Sequence, residues 1–293
     1  MKLEDIINQI EEADQLDPVA RKAMRDKLIE MIKYVPRIGV FGKAGVGKSS
    51  LCNALFGDDV CAVDDIEACT RDAQDVILEL GKDRRVILVD VPGVGESRQR
   101  DDEYRKLYRS LIPELDIILW VIKADDRSHT IDQDFYENVV RPELHGEVVT
   151  LFVLNQADKV EPSLEWDRDA NLPGEGQLKN IQRKTEVVSK LFNVSVAQVI
   201  PVSATRGFRL TDLVDKMVMA LPPLKRIATA RVTRSDYVSS GTVKQVEKDV
   251  VSELNGAAIA TGAVIGGVIG LVGGPVGVAI GAAIGGWIGS LFR

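Results

Sequence analysis

The sequence predicts an α/β fold: a doubly wound, six-stranded, mostly parallel sheet, with an N-terminal helical extension and a C-terminal glycine-rich helical hairpin. Three observations predict it. From residue 37 to 222, apolar runs of strand length alternate with amphipathic helical stretches. The runs at 117–122 and 148–154 are almost continuously apolar, as strands covered on both faces are. Beyond residue 254 charge disappears until the final arginine and glycine recurs every fourth residue, a pattern foreign to the rest of the chain.

Residues 1–36 read as a helical extension. Leu3, Ile6, Ile7 and Ile10 share one helical face. Asp17-Pro18 is a helix start, a capping carboxylate followed by proline at the first helical position. Val19, Ala23, Leu28, Met31 and Ile32 continue an apolar face, and Pro36 ends it. The expected use is a helical pair packed on the next domain; the other is a partner-binding arm.

Strands are predicted at 37–41, 75–80, 85–90, 117–122, 148–154 and 199–202, with 75–80 and 85–90 antiparallel across the turn Gly81-Lys82-Asp83-Arg84. Helical stretches lie at 50–56, 102–112, 132–140, 178–192 and 210–220. A long loop, 161–177, carries Trp166 as either a partner contact or a cap on the domain. Pro222-Pro223 marks a boundary. Residues 223–255 are a basic linker, with Lys225, Arg226, Arg231 and Arg234, and a connecting helix over 236–254. Residues 256–293 form the glycine-rich hairpin.

The chemistry is centred on Gly42-Lys43-Ala44-Gly45-Val46-Gly47-Lys48-Ser49, between a strand and a helix. Glycines let such a loop turn several N–H groups onto one anion, and the helix adds the positive end of its dipole. Lys48 reaches β- and γ-phosphates, Ser49 holds Mg²⁺, and Ser50 continues the phosphate-facing turn. Further stretches stand at strand carboxyl ends, where such sheets bind ligands. Asp90 offers a carboxylate to Mg²⁺ and Gly93 an N–H to a γ-phosphate. Thr70, in Cys69-Thr70-Arg71, offers a hydroxyl to the metal. Asp158, in Asn155-Gln156-Ala157-Asp158, accepts from N1–H and N2–H₂ of guanine, a donor pair that adenine lacks. Ser203-Ala204 closes over the base. The expected catalytic set is therefore Lys48, Thr70 and Gly93, and the metal set Ser49, Thr70 and Asp90. The nucleotide is expected to meet residues 42–50, Asn155, Asp158, Ser203 and Ala204. The ligands expected are GTP or GDP with Mg²⁺.

Residues 37–222 resemble the Era-like branch of the translation-factor-related GTPases. Residues 40–57, 67–71, 90–97 and 123–127 are similar to YfjP-type bacterial GTPases. The resemblance implies GTP binding, Mg²⁺ dependence and slow hydrolysis. The chain departs from the pattern at three places. Gln156 replaces the lysine of Asn-Lys-x-Asp, which implies lower affinity with guanine selectivity kept by Asp158. Gly45 stands where many members have asparagine, some of which hold potassium with it. Val94 follows Gly93 where Ras-type proteins place a water-orienting glutamine. Turnover without a partner, a second copy or a loop group is thus expected to be weak. Arg71, Arg98 and Arg100 are loop candidates for charge stabilisation, weighed against a plain role as solvated surface arginines.

In the tail, Gly262, Gly266, Gly270 and Gly274 are followed by Gly277, Gly281, Gly285 and Gly289, with Gly273-Gly274-Pro275 as a turn. Spacing by four lines glycine on one helix face, the glycine-zipper pattern that lets backbones approach. An arm of about 17 residues spans about 25 Å, slightly short of a bilayer core. The first expectation is a hairpin inserted in membrane, with Trp287 at the interface and the basic run of 225–234 on anionic lipid. The other is a soluble hairpin packed on the GTPase domain or on a second copy, and hence self-association.

The formal net charge of −7 argues against broad nucleic-acid binding, and no DNA partner is expected. A role as a soluble ribosome- or RNA-associated assembly GTPase stays open beside the membrane-switch reading, and a binding-only protein is a third. Three cysteines without a C-x-x-C pair, Cys52, Cys61 and Cys69, fit a reduced cytosolic protein. The first residues carry acids where a signal peptide needs an apolar core, so the expected location is cytoplasmic, at or near an inner membrane. His129 and His145 have no metal-ligand company in the sequence and read as structural or surface residues.

Overall fold

A computed structural model describes residues 2–14, 16–57, 74–80, 84–90, 106, 108–126, 128–144, 146, 148–262 and 274–292, with backbone alone at 74–77, 89–90 and 274–277. The chain forms two compact units, residues 36–217 and residues 1–35 together with 218–293. In chain order the described helices are α1 (Leu3–Glu11), α2 (Pro18–Lys33), α3 (Lys48–Phe56), α4 (Thr130–Phe135), α5 (Glu175–Leu191), α6 (Leu210–Ala220), α7 (Pro223–Val232), α8 (Ser240–Ala260) and α9 (Gly274–Leu291).

The first unit is built on a six-stranded sheet of order β2-β3-β1-β4-β5-β6. Its strands are β1 (Arg37–Phe41), β2 (Gln74–Glu79), β3 (Arg85–Asp90), β4 (Ile117–Lys123), β5 (Val149–Asn155) and β6 (Val199–Pro201). β2 runs antiparallel to β3, and the remaining pairs are parallel. The short step from β2 to β3 leaves no room for the crossover that a parallel pair needs. Every residue of β4 up to Ile122 is buried, which accounts for its unbroken apolar run.

Register decides what the sheet carries on one face. Phe41 pairs with Trp120, and Trp120 with Phe152, so three aromatics line up across β1, β4 and β5. Tyr136 and Phe192 close on this row with ring centroids 5.1 and 4.7 Å from Phe152. Tyr108 packs edge-on against Phe135 at 4.6 Å. Such offset and edge-to-face pairs add to burial by roughly 1 kcal/mol each. They seat the helices after β4 and before β6 against the sheet, and so fix the loops at its carboxyl edge.

The helix expected over 132–140 begins earlier, at Thr130, and widens into a π-helical turn at Tyr136–Val140 before Pro142 ends it. The segment 161–177 is organised rather than an open loop. It contains a 3₁₀ turn at Ser163–Glu165, a bridge between Asp167 and Leu172, and the start of α5 at Glu175. Trp166 is buried edge-on to Phe208 at 5.2 Å, so it caps the domain instead of waiting for a partner.

In the second unit α8 packs against α2, α7 and α9, and α1 packs against α2 and α9. Asp17 caps α2 as expected, accepting from Val19 N at 2.8 Å. The N-terminal helices bury Ile6, Ile10, Met24, Leu28 and Met31, and α8 buries Val246, Val250 and Leu254. The basic run is spent inside this unit. Arg226 pairs with the buried Asp249 at 2.8 Å, Lys225 lies over the Tyr34 ring, Arg231 donates to Ile32 O and Arg234 pairs with Asp236.

The connecting helix expected over 236–254 is α8 and runs on to Ala260. The described arm of the tail, α9, buries Ile280, Ile284, Trp287 and Ile288 at 2% exposure or less. These fall at i, i+4, i+7 and i+8, one helical face. Gly285 lies against the Glu247 carboxylate, where a Cβ would collide. Among the described residues no helix is long and apolar enough to cross a membrane. The membrane-inserted hairpin thus finds no support here. The arm packs on α1 and α8, partners that neither expectation had placed.

Candidate nucleotide site

The phosphate loop leaves β1 at Phe41 and enters α3 at Lys48. Two of its glycines are required by geometry. Gly42 has φ 139° and its Cβ would strike the Val121 carbonyl oxygen. Gly47 has φ 91° and its Cβ would stand 2.6 Å from Asn155 Nδ2. Neither the dihedral nor the space admits a side chain. Val46 is buried and anchors the loop, while Ala44 and Gly45 face solvent. The first bond of α3 runs from Leu51 N to Gly47 O at 3.0 Å. The N–H groups of the turn before it have no intrahelical acceptor, and half-buried Ser49 and exposed Ser50 stand in that turn. Lys48 Nζ donates to Gly42 O at 2.9 Å and Lys43 O at 3.0 Å, so the loop's own carbonyls aim its ammonium.

Lys43 enters the site differently from the sequence expectation. Its ammonium donates to Ser128 O at 2.9 Å and pairs with Asp132 at 2.7 Å and Asp126 at 3.7 Å. Only its backbone is left for the phosphate loop. Burial pushes the Asp132 carboxyl above its ordinary value, against the opposing pull of Lys43. His129 lies in the same cluster. Burial pushes its imidazole below 6.5, outweighing the carboxylates of Asp126 and Asp132.

Asn155 joins three segments. Buried at the end of β5, it donates through Nδ2 to Val46 O at 3.0 Å and Gly47 O at 3.4 Å. Its Oδ1 accepts from Ala204 N at 3.1 Å. One amide thus ties the phosphate loop to the Ser203-Ala204 turn, which a mutual bridge between Ser203 and Phe208 closes. Gln156, in the left-handed region at φ 61°, reaches the loop as well, from Nε2 to Gly45 O at 3.4 Å. Its Oε1 accepts from Lys159 Nζ at 2.9 Å. The position that departs from Asn-Lys-x-Asp keeps a contact with the phosphate loop and draws an ammonium to it from three residues on.

Asp158 sits in the 3₁₀ turn Ala157–Lys159. Its Oδ1 is buried and has no hydrogen-bond partner among the described residues. A carboxylate oxygen withdrawn from water without a donor is costly, and a ligand that brings donors to it removes the cost. Asp90, at the end of β3, pairs in register with Val40 of β1, so these strand ends share one edge of the sheet. The Asp90 side chain, Thr70, Gly93, Val94, Arg71, Arg98 and Arg100 lie outside the described residues, as do Cys61, Cys69 and His145. Described Cys52 is buried and in no disulfide, and no group of three or more His, Cys, Asp or Glu among the described residues is placed to hold a metal ion. Sequence reasoning missed Gln177, whose side chain holds the Asp158 turn, and Asp132, which takes the Lys43 side chain. Neither carries a local signal, because each acts through a contact between distant segments.

Phosphate-loop turn, aimed lysine and orphaned carboxylate, all along one sheet edge, define an α/β nucleotide-binding domain. Residues 37–156 match the family model described as 50S ribosome-binding GTPase. Over 240 residues the chain is 41% identical to the uncharacterized protein YkfA of Escherichia coli K12, covering 78% of this chain and 77% of that protein. Over 193 residues it is 42% identical to the uncharacterized protein YfjP of the same organism, covering 66% and 64%. Against GTPase Era of Aquifex aeolicus it is 26% identical over 188 residues, covering 63% and 56%. The chain belongs to the Era-like P-loop GTPases, in the group of YkfA and YfjP. It is a GTPase of that class and takes guanine nucleotide.

Proposed function

We propose that the chain is a molecular switch whose guanine specificity is carried by Asp158 and whose phosphate grip is carried by residues 42–50. The observation that carries this reading is the buried Asp158 Oδ1, without a partner among the described residues, three residues after an Asn155 whose amide is already bound to the phosphate loop. Guanine N1–H and N2–H₂ supply the donors that the carboxylate lacks. The N–H groups at the start of α3 receive the β-phosphate, and Lys48 swings from the Gly42 and Lys43 carbonyls onto the β- and γ-oxygens. Ser49, Thr70 and Asp90 would hold Mg²⁺, and the ion would supply positive charge against the phosphate oxygens. Gly93 N–H and Thr70 N–H meet the γ-phosphate, so its loss frees both loops. Ser203 and Ala204 close over the base.

The effector is proposed to be soluble, and the family description, ribosome-binding, supports a ribosome or RNA partner over a bilayer. Burial of Ile280, Ile284, Trp287 and Ile288 supports a tail that serves its own helical unit. Membrane insertion is the second reading and would require α9 to leave that unit.

Single-turnover hydrolysis tests the switch. Full-length protein should release γ-phosphate from GTP only with Mg²⁺, and Lys48→Ala should abolish release; equal use of ATP would contradict the reading. Co-flotation with liposomes and co-sedimentation with ribosomes, each with GDP and with a nonhydrolysable GTP analogue, separates the effectors. Nucleotide-dependent flotation would overturn the soluble reading.

A further inference from the structure

We infer that Gln177 is a positioning residue for guanine selection, acting through the Asp158 turn. The inference rests on the reading of Asp158 as the base-selecting group. Gln177 lies in the first turn of α5 and is fully buried, although glutamine is usually a surface residue. Its Nε2 donates to Asp158 O at 3.0 Å and to Val160 O at 2.8 Å. The two carbonyls bracket the turn that carries the Asp158 side chain, and no other described side chain is shown bonding them. The amide orientation follows from chemistry, because the oxygen cannot face two carbonyl acceptors. Gln177 Oε1 pays for this with a buried position and no partner among the described residues. An apolar side chain of like volume would fill the same space but leave the Asp158 and Val160 carbonyls without this donor, so what the amide adds beyond packing is its hold on the turn.

The segment 161–176 acts as the delivery arm. Glu165 accepts from Gln177 N at 3.0 Å, and its carboxylate fills the space beside Gly174 and Gly176. Asn180, one turn along α5, donates to Glu161 O at 2.8 Å. The first turn of α5 is thereby fixed to the chain that leaves the Asp158 turn. Gln177 touches no nucleotide; it sets where the Asp158 carboxylate stands.

Affinities for GDP and IDP, measured by displacement of a fluorescent GDP analogue from the full chain, test this. Inosine lacks the 2-amino donor, so wild type should prefer GDP by roughly tenfold or more. In Gln177→Leu and Gln177→Glu the ratio should fall toward one, with GTP turnover at saturating nucleotide within about twofold of wild type, because a ground-state positioning contact moves KM more than kcat. Gln177→Glu should regain part of the ratio as pH falls and its carboxyl takes up a proton, restoring one donor to the two carbonyls. A wild-type ratio in both variants overturns the proposal, as does outright unfolding at every pH, which would make the amide a general structural element. Absence of any GDP preference in wild type would instead overturn the reading of Asp158.

Discussion

Asn155 shows how one side chain can be the hub of a site. Its three hydrogen bonds reach the phosphate loop on one side and Ala204 on the other. Asn155→Ala leaves the Val46 and Gly47 carbonyls and the Ala204 N–H without it, a cost of about 1–3 kcal/mol. GDP affinity should therefore drop by roughly tenfold or more in a titration, and unchanged affinity would contradict the bridge. His129 offers a pH test. Its imidazole is depressed in the folded chain, so its contribution to stability is present above the unfolded value near 6.5 and is lost as pH falls through the native one. Asp132 is raised, so its contribution runs the other way: present below about 3.8 and lost as pH climbs through its native value. Urea unfolding from pH 7.5 to 5.5 should lose stability in wild type and lose less in His129→Gln; identical slopes would contradict it.

At the scale of elements, the Lys43–Asp132 pair is a clasp between the phosphate loop and α4, seated by the aromatic row across β1, β4 and β5. Lys43→Ala and Asp132→Asn should each cost about 1–3 kcal/mol, and the double variant less than their sum, because both break one partly buried contact. Faster GDP release in both variants, followed by stopped-flow fluorescence, is the expected companion; additive costs with unchanged release would show that the two act apart. Alternating apolar and helical periods made the strands and their parallel order legible in the sequence, since β4 and β5 are apolar for the same reason that they are buried. The phosphate loop was legible because its glycines meet a local steric demand. Asp132, Gln177 and the role of Trp166 were not, because each depends on a contact across distant sequence, and a lone Asp, Gln or Trp carries no period. The π-helical widening at Tyr136–Val140 was likewise invisible to a search for a 3.6-residue repeat.

On the scale of the whole molecule, the ends of the chain meet in one helical unit in which α9 packs on α1 and α8. The tail's composition looked membranous because glycine and isoleucine dominate it, yet among its described residues α9 buries one face, at Ile280, Ile284, Trp287 and Ile288. Ile284→Ala should destabilise the unit by about 2–5 kcal/mol in thermal or urea unfolding without lipid, and no loss would mean that α9 does not rest there. The central claim is that this fold selects guanine through Asp158. The most direct measurement compares GDP and XDP binding by wild type and Asp158→Asn. Xanthine carries a carbonyl where guanine carries its 2-amino group, so a carboxylate should refuse it and an amide accept it. Asp158→Asn is expected to lose GDP and gain XDP, each by roughly a hundredfold. Unaltered preference for GDP in the variant would place base selection elsewhere and contradict the account.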